Sequence, residues 1–435
     1  MLGYRVSYAR RCLLVLAIGI LFSALSGCSN ESEVQPVPQI RKEAVLLEYW
    51  TPFSGGDNQF MTEMVEQFNK EQDDIYVVQT NSRLDDYYSR LRTAILSSNA
   101  PDIAIIHTTS MPQFVQNGYI ETVTDIAEQV GLDLSQLNSN IRESTEYNEQ
   151  SYAVPLDTHA LVMYYNKQHL REAGVLDEAT GRPLIEPGEE GFQQFLEKIR
   201  EAVPSDVAPM AMPSTRIDSV WLWWSLYNQM NDGGSFYNEQ GKASFNNPQA
   251  LRALTFINGL YEQELIPPNI NDSFKAFYDG NAAVLFLGMW GTGAFEKSTE
   301  LDLGVVTVPV LYDRPAQWGD SHSLAIPKKH NMTDEKRKAA MMFSKWMVEH
   351  GEQWAKAGHV PSMTQVVESE TFNQLKYRSD YAAAADYVVY WPRHQKQWSM
   401  IEILIKEFEK MIYGKQTPEQ ALQLAEQLVN AAMEE

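Results

Sequence analysis

Cysteine is nearly absent from this chain of 435 residues, which contains two, Cys12 and Cys28. No thiol follows Cys28, so the rest of the chain can form neither a disulfide framework nor a cysteine-ligated zinc site. A folded part of this length must therefore be stabilised by its hydrophobic core, and the length favours two lobes over one.

Basic residues are also scarce, since 35 lysines and arginines stand against 57 aspartates and glutamates, for a net charge of -22. A surface this acidic disfavours nucleic acids and anionic membrane surfaces as partners. The charge says little about a neutral small ligand.

Long apolar runs are rare, and the clearest one lies near residue 1. Three arginines precede CLLVLAIGILFSAL, residues 12–25, and the run ends in LSGC at 25–28. This arrangement resembles a bacterial lipoprotein signal, which predicts a signal peptide over 1–27 and lipid attachment at Cys28 as a membrane anchor. An ordinary signal peptide with a chance cysteine is the alternative. The polar, proline-containing residues 28–43 are predicted to form a flexible tether.

Short apolar runs and helical patterns alternate after the tether. AVLLEYW, IYVVQTN and DIAIIHT are typical of strands, and QFMTEMVEQFNKEQ and DDYYSRLRTAILSSN are typical of helices. The alternation predicts an α/β fold with a mainly parallel sheet. Ligands of such sheets bind at the carboxyl ends of the strands, where Trp50, Asn81 and His107 are expected.

One tryptophan stands among glycines in the stretch AVLFLGMWGTGAF, residues 283–295. Glycines let the backbone turn sharply and let other groups approach it closely. Trp290 therefore either packs beneath the next element or faces a cleft, and the stretch alone leaves both open.

Several blocks, in order, resemble the bacterial extracellular solute-binding proteins of family 1, the substrate receptors of ABC importers, of which the maltose-binding type is best known. The blocks include LLEYWTPFSGG, APDIAIIHTTSMPQFVQNGYIETV, SYAVPLDTHALVMYYNKQHLREAGV, FYDGNAAVLFLGMWGTGAF and GDSHSLAIPKKH. Each block is short and degenerate, but their order and spacing together are specific.

The resemblance implies a two-lobe fold of the periplasmic-binding-protein type II class, with the ligand cleft between the lobes. Chain crossovers are then expected near Val154, Val306 and Val360. The N-terminal lobe would comprise 44–153 plus 308–359, and the C-terminal lobe 154–307 plus 360–435. The same resemblance favours Trp290 as a residue that stacks on the ligand.

A carbohydrate offers an apolar C–H face and a rim of hydroxyl groups, which proteins meet with flat aromatic rings and with polar partners. Helical spacing cannot place Trp221, Trp223 and Trp224 on one face, so Trp221 or Trp224 is expected at the cleft. The candidate ligand-binding residues are Trp50, Asp57, Asn81, Ser82, Asp102, His159, Trp221, Trp224, Trp290, Asp320, Trp391 and Arg393.

Three of the polar candidates could have a different role. Asp102 could instead brace the sheet, and His159 could be structural, as a lone histidine often is. Arg393 could bind hydroxyl groups or a carboxylate, and an acidic sugar becomes possible if it faces the ligand.

No enzyme, cofactor or metal site is expected. Abundant acids make a chance carboxylate pair uninformative, no block resembles a glycosidase motif, and the eight histidines are scattered along the sequence. We expect an extracytoplasmic monomer that binds a carbohydrate, specifically an oligosaccharide, and delivers it to the permease subunits of an ABC importer.

Two other functions stay open. A polyamine receptor would use aromatic rings with Asp57, Asp102 and Asp320 around ammonium groups. A lipoprotein sensor that does not take part in transport could also use this fold.

Overall fold

The computed structural model describes residues 44–53 and 56–434. The predicted signal peptide over 1–27, the tether over 28–43 and the lipidation site Cys28 lie outside the described residues. None of the described helices is both long enough and apolar enough to cross a membrane.

The described strands belong mainly to two large sheets. In chain order they are β1 (Val45–Thr51), β2 (Ile75–Asn81), β3 (Ile103–His107), β4 (Val154–Pro155), β5 (Asp157–Asn166), β6 (Ala208–Ala211), β7 (Ala282–Gly288), β8 (Leu303–Thr307), β9 (Gln317–Asp320), β10 (His322–Ala325), β11 (Val360–Pro361) and β12 (Val388–Val389). Two short hairpins pair Glu146–Tyr147 with Gln150–Ser151 and Leu176–Asp177 with Arg182–Pro183.

The described helices pack around these sheets. In chain order they are α1 (Asp57–Glu71), α2 (Leu84–Leu96), α3 (Met111–Gln116), α4 (Thr124–Gln129), α5 (Ser139–Glu143), α6 (Lys167–Glu172), α7 (Gly188–Ala202), α8 (Asp218–Gln229), α9 (Pro248–Glu262), α10 (Ser273–Tyr278), α11 (Thr292–Phe295), α12 (Asp334–Glu349), α13 (Gly351–Trp354), α14 (Thr364–Val367), α15 (Glu370–Asn373), α16 (Arg378–Tyr381), α17 (Gln397–Ile412) and α18 (Pro418–Glu434).

The first sheet has the strand order β2-β1-β3-β10-β4. Strand β1 pairs in parallel with β2 and β3, and β10 is antiparallel to β3 and β4. Buried and exposed positions alternate along β1, where Leu47 and Tyr49 point into the core. Helix α12 covers that core, and the ring of Phe343 lies 5.3 Å from the ring of Tyr49. The mainly parallel arrangement of β1, β2 and β3 agrees with the strand and helix alternation of the sequence.

The second sheet is built around β5, whose ten residues are all buried. Its strand order is β6-β7-β5-β9-β12, and β8 and β11 also pair with β5. Helix α8 packs on this sheet, and the Ser225 hydroxyl accepts a hydrogen bond of 2.8 Å from the backbone N–H of Trp318 in β9. This contact holds Trp221 of α8 against Trp318 of β9.

The chain passes from one sheet to the other at short connections. Leu156 links β4 of the first sheet to β5 of the second, and Ser321 links β9 of the second sheet to β10 of the first. A third passage runs from α13, beside the first sheet, to β11, which pairs with β5. These passages bring the two sheets together at one place.

The second passage differs from the expected crossover near Val306. Strands β8 and β9 both pair with β5, so residues 308–320 stay with the second sheet. The side chains of Val308 and Leu311 are buried in the core on that side. The passage therefore occurs at Ser321, because the strand pairing of β9 continues to Asp320.

Candidate ligand-binding site

A cavity of about 280 Å³ opens where the carboxyl ends of β1 and β3 face the second sheet and helix α8. Its walls combine aromatic rings, carboxylates and imidazoles. The lining residues are Pro52, Phe53, Asp57, Leu84, His107, Thr109, Arg216, Ile217, Trp221, Trp290, Trp318, Asp320, His322, His359, Trp391, Trp398 and Ile401.

Five tryptophans form what we call the tryptophan wall: Trp221, Trp290, Trp318, Trp391 and Trp398. The rings of Trp221 and Trp318 stack with centroids 4.0 Å apart and an interplanar angle of 16°. Trp290 stands nearly perpendicular to both, at 77° and 90°. The wall therefore presents flat apolar surfaces in two orientations.

Three indole N–H groups of the wall have no hydrogen-bond partner among residues 44–53 and 56–434, although their nitrogens are buried. They belong to Trp221, Trp318 and Trp391. Buried indole N–H groups usually find an acceptor, and an unpaired one costs about 1–3 kcal/mol. A ligand with oxygen acceptors would remove this cost.

The glycines around Trp290 make room for its ring. A Cβ atom at Gly288 would lie 1.7 Å from the Trp290 ring, so the indole folds over the bare backbone of that glycine. At Gly293 a Cβ atom would meet the carbonyl oxygen of Lys356 at 2.6 Å. The stretch thus packs tightly on one side and leaves the half-buried Trp290 at the cavity.

Two carboxylates, Asp57 and Asp320, also line the cavity. Asp57 is the first residue of α1 and its Oδ1 has no hydrogen-bond partner in the part of the chain that the structure describes. Burial opposes its ionisation, but His359, whose Nε2 lies 3.8 Å from Oδ2, acts together with His322 and a backbone hydrogen bond, and the net effect lowers the pKa of Asp57. Asp57 is therefore an ionised acceptor with a free oxygen.

Asp320 is held more firmly. Its Oδ2 accepts a hydrogen bond of 2.6 Å from the Thr109 hydroxyl, and its Oδ1 accepts from the backbone N–H groups of Thr109 and Ser321. Burial raises the pKa of this carboxyl group, and His159 opposes the rise. Asp320 links the loop after β3 to the end of β9.

A buried group of histidines surrounds Asp157 at the base of the cavity. The Nδ1 atoms of His322 and His159 lie 2.8 Å and 3.2 Å from the two Asp157 carboxylate oxygens. The indole N–H of Trp354 donates to the same carboxylate. Burial works against ionisation of Asp157, but the neighbouring histidines keep its pKa well below the usual range, while burial lowers the pKa of His322 to about 4.

Five of the twelve candidate residues from the sequence line the cavity: Asp57, Trp221, Trp290, Asp320 and Trp391. His159 lies directly behind the cavity, with its ring 5.5 Å from that of Trp290. It is 3 % exposed and bonded to Asp157, so it does not itself line the cavity.

Three candidates near β1 and β2 have structural contacts instead. Trp50 packs in the first-sheet core with the guanidinium of Arg90 5.8 Å above its ring. Asn81 bonds to the Thr51 hydroxyl and to the carbonyl oxygen of Phe53, and Ser82 accepts a hydrogen bond from Arg90. Their polar atoms connect neighbouring strands and loops, and none of the three lines the cavity.

Asp102 braces the first sheet, which was its stated alternative role. It is fully buried, accepts a hydrogen bond from the backbone N–H of Glu48, and forms ion pairs with Lys329 at 2.6 Å and Lys336 at 3.2 Å. Its carboxylate oxygens are bonded to one strand and two lysines, and Asp102 does not line the cavity.

The last two candidates also lie away from the cavity. The Trp224 ring is 2 % exposed, stacks 4.7 Å from Trp391, and donates its N–H to the carbonyl oxygen of Val389. Arg393 donates to the carbonyl oxygens of Glu143 and Glu146. Between Trp221 and Trp224, the structure therefore places Trp221 at the cavity.

Several lining residues were not among the candidates, chiefly Phe53, His107, Arg216, Trp318, His322, His359 and Trp398. Trp318 carried a local signal, because it stands two residues before the candidate Asp320 in the block QWGDSH. The sequence around Arg216 and His359 gave no such local signal, since their positions depend on where loops meet after folding.

The two-lobe α/β fold is similar to solved structures of the maltose-binding type. The family model of bacterial extracellular solute-binding proteins matches residues 54–354, and the chain belongs to that family. The family is one of extracytoplasmic solute receptors rather than a class of enzymes.

Two curated relatives are arabinooligosaccharide-binding proteins. The one from Halalkalibacterium halodurans is 27% identical over 58% of this chain and 55% of its own length, so the match spans about half of that relative. The one from Bacillus subtilis is 23% identical over 85% of this chain and 84% of its own length.

A solved ABC substrate-binding protein from Listeria monocytogenes, in complex with cycloalternan, has a similar fold. Its TM-score is 0.77 at 21% identity, covering 90% of this chain and 99% of that one. At this level of identity the likeness shows the fold.

Proposed function

We propose that this chain is the substrate receptor of an ABC importer and binds an oligosaccharide in the cavity. The observation that carries the proposal is the tryptophan wall, with flat rings and three unpartnered indole N–H groups. Sugar rings match both features, since their C–H faces stack on indoles and their oxygens accept hydrogen bonds.

Two polar lining residues support the same ligand class. The free Oδ1 of Asp57 can accept a hydrogen bond from a ligand hydroxyl, and Arg216 can donate to one. The two curated relatives carry the name arabinooligosaccharide-binding protein, which makes oligomers of pentoses the first ligands to test.

A polyamine is the second candidate, because Asp57 and Asp320 place two carboxylates beside aromatic faces. Ammonium groups bind such combinations through ion pairing and cation–π attraction. Arg216, also at the cavity, weakens this candidate by repelling a cation.

The remaining predictions stand as parts of this proposal. We infer that residues 1–27 are a signal peptide, that Cys28 carries the lipid, that 28–43 tether the monomeric receptor, and that permease subunits take up the ligand. Mass spectrometry of the membrane-associated protein would detect the lipid on Cys28, and Cys28→Ser should release the protein from the membrane. A variant that stays membrane-bound would contradict the anchor.

We also propose that ligand binding brings the two lobes together, because the tryptophan wall and Asp57 belong to opposite sides of the cavity. Small-angle scattering with and without saturating ligand measures this change. Equal radii of gyration would contradict closure.

The ligand is identified with the full chain in detergent, using the melting temperature from tryptophan fluorescence and then calorimetric titration. The probes are arabinotriose, maltotriose and spermidine, since binding to the native state alone raises the melting temperature. A rise with a sugar that is lost in Trp290→Ala and kept in Trp346→Ala supports the proposal, because Trp346 packs on α1 away from the cavity. A rise with spermidine alone moves the function to the second candidate.

A further inference from the structure

Four buried side chains meet where the chain passes between the sheets: Asp157, His159, His322 and His359, here called the crossover cluster. Asp157 and His359 have no exposed surface, and His159 and His322 are 3 % and 5 % exposed. The scatter of the histidines along the sequence therefore does not exclude a metal site, because folding gathers residues up to about two hundred positions apart.

Strand pairing fixes the backbone of three members of the cluster, and the fourth adjoins a paired strand. Asp157 and His159 begin β5, His322 begins β10, and His359 directly precedes β11. The connection through Leu156 is closed by a hydrogen bond of 2.7 Å from its N–H to the carbonyl oxygen of His322. The donors thus come from three crossings that are held in place without a ligand.

The donor set suits a transition-metal ion. One carboxylate oxygen and three imidazole nitrogens all lie within 4.8 Å of one another. Zinc bonds of about 2.0–2.2 Å place tetrahedral ligands roughly 3.4 Å apart, so movements of about an ångström would complete the shell. Imidazole and carboxylate ligands are typical of zinc, and four of them close a structural site.

One member of the cluster stacks on Trp354, with ring centroids 4.4 Å apart, but its two ring nitrogens are left without partners among the described residues. Both ring nitrogens of the fully buried His359 lack a hydrogen-bond partner within the described part of the chain. Its Nδ1 is 3.7 Å from Asp157 Oδ2, and its Nε2 is 3.8 Å from Asp57 Oδ2. Hydrogen bonds to Asp157 satisfy one ring nitrogen each of His159 and His322, but they leave His359 without a partner. A bound cation would give His359 a partner.

Groups around the cluster would orient and neutralise such an ion. The N–H groups of Trp354 and of the His322 backbone both donate to the Asp157 carboxylate, which fixes its plane. The Asp57 carboxylate also lies close by, with its Oδ2 3.8 Å from His359 Nε2. The site therefore has a second layer of contacts, as metal sites do.

We propose that Asp157, His159, His322 and His359 bind one divalent transition-metal ion, with Zn²⁺ as the test ion, and that this ion ties the chain crossings of the two sheets together. The bound ion stabilises the folded chain by mass action, because the four donors meet only after folding. This proposal does not depend on which solute the cavity takes.

The first test is zinc stoichiometry on the full chain in detergent, expressed without a histidine tag. Both cysteines are replaced, as Cys12→Ser and Cys28→Ser, because thiols also bind zinc. After treatment with EDTA and dialysis, calorimetric titration with ZnCl₂ and elemental analysis should give one equivalent, and the melting temperature should rise. Failure to reach half an equivalent, or an unchanged melting temperature, would overturn the proposal.

The second test locates the ion. His359→Gln should lower the zinc affinity at least tenfold, whereas His330→Gln should not, because His330 is an exposed histidine outside the cluster. Equal affinities of the two variants would place the ion elsewhere and overturn the assignment. Circular dichroism checks that both variants are folded.

Cobalt substitution keeps the proposal testable if His359→Gln does not fold. Co²⁺ bound to the unsubstituted cluster should give the intense visible absorption of a four-coordinate site, and excess Zn²⁺ should abolish it. Weak octahedral absorption alone would overturn the closed site. Sugar titrations of the metal-free chain separate this outcome from the proposed function, since a chain that binds sugar but no metal refutes only the metal site.

Discussion

The tryptophan wall and the crossover cluster lie against each other, yet they differ in almost every physical property. The wall is built of large rings that border the cavity: Trp318 and Trp391 are buried, whereas Trp290 is half-buried and Trp398 is 37% exposed. The cluster is almost free of solvent contact and is organised around one buried carboxylate. His159 joins the two, with its ring against Trp290 and its Nδ1 on Asp157.

The difference separates the two tasks of a receptor of this kind. Flat, partly solvated rings suit a ligand that enters and leaves, because little has to be reorganised on binding. A dry, hydrogen-bonded cluster at the chain crossings suits stability, because removing one charge there leaves others unpaired. We therefore expect substitutions in the wall to change affinity and substitutions in the cluster to change the free energy of unfolding.

The largest expected effect is on stability, from Asp157→Ala. The carboxylate accepts hydrogen bonds from Trp354 and from the His322 backbone and faces two imidazoles, so its loss should cost about 3–5 kcal/mol of the free energy of unfolding. Urea denaturation followed by tryptophan fluorescence measures this change. An unchanged denaturation midpoint would show that the cluster does not hold the crossings.

Trp290→Ala should produce the largest change in affinity. Loss of one aromatic face of the wall should weaken ligand binding by about 2–3 kcal/mol, or roughly 30- to 150-fold, as for a central aromatic contact. Calorimetric titration with the sugar identified above measures it. Trp346→Ala is the control. A comparable loss of affinity in that variant would show that the effect is not specific to the tryptophan wall.

Gly288→Ala should affect the same ring indirectly. The added methyl group would overlap the Trp290 ring and displace it, which should weaken ligand binding about tenfold and cost about 1–3 kcal/mol in stability. Gly259→Ala in α9 is the matched control, since its Cβ would have its nearest neighbour at 3.8 Å. That control should gain about 0.5–1 kcal/mol in helix stability and keep its affinity.

The smallest expected change in affinity comes from substituting two arginines, one that lines the cavity and one that lies outside it. Arg216 lines the cavity, whereas Arg393 binds backbone carbonyl oxygens and stacks 4.1 Å above Tyr147. Arg216→Ala should change the affinity for an acidic sugar relative to its neutral counterpart, and Arg393→Ala should change neither affinity. The cost of the exposed Arg393 to stability should stay below about 1 kcal/mol. Paired titrations with both sugars measure the ratio, and a change in Arg393→Ala would extend the site to that residue.

Features that depend on neighbours in sequence were predicted well. The runs AVLLEYW, IYVVQTN and DIAIIHT coincide closely with β1, β2 and β3, and the order of the blocks identified the family that the family model matches. The Trp290 stretch belongs to the same group. Its glycines predicted that another group lies close to the backbone, and that group is the Trp290 ring, which packs over Gly288.

Features that depend on contacts distant in sequence were predicted poorly. Asp102 lies beside Lys329 and Lys336 only after β1 and α12 have packed, so its sequence context could not separate a brace from a ligand-binding carboxylate. The extent of β9 moved a crossover from Val306 to Ser321, because strand pairing decides where a strand ends.

The sequence alone thus determined the fold class, the kind of receptor and the presence of an aromatic site, because apolar periodicity and block order are written in adjacent residues. Tertiary structure alone decided which of Trp221 and Trp224 faces the cavity, and it alone assembled the crossover cluster. The physical reason is that a side chain's partners, burial and charge environment come from elements that pack together only after folding. The number of residues between two such elements does not indicate how close they lie in space.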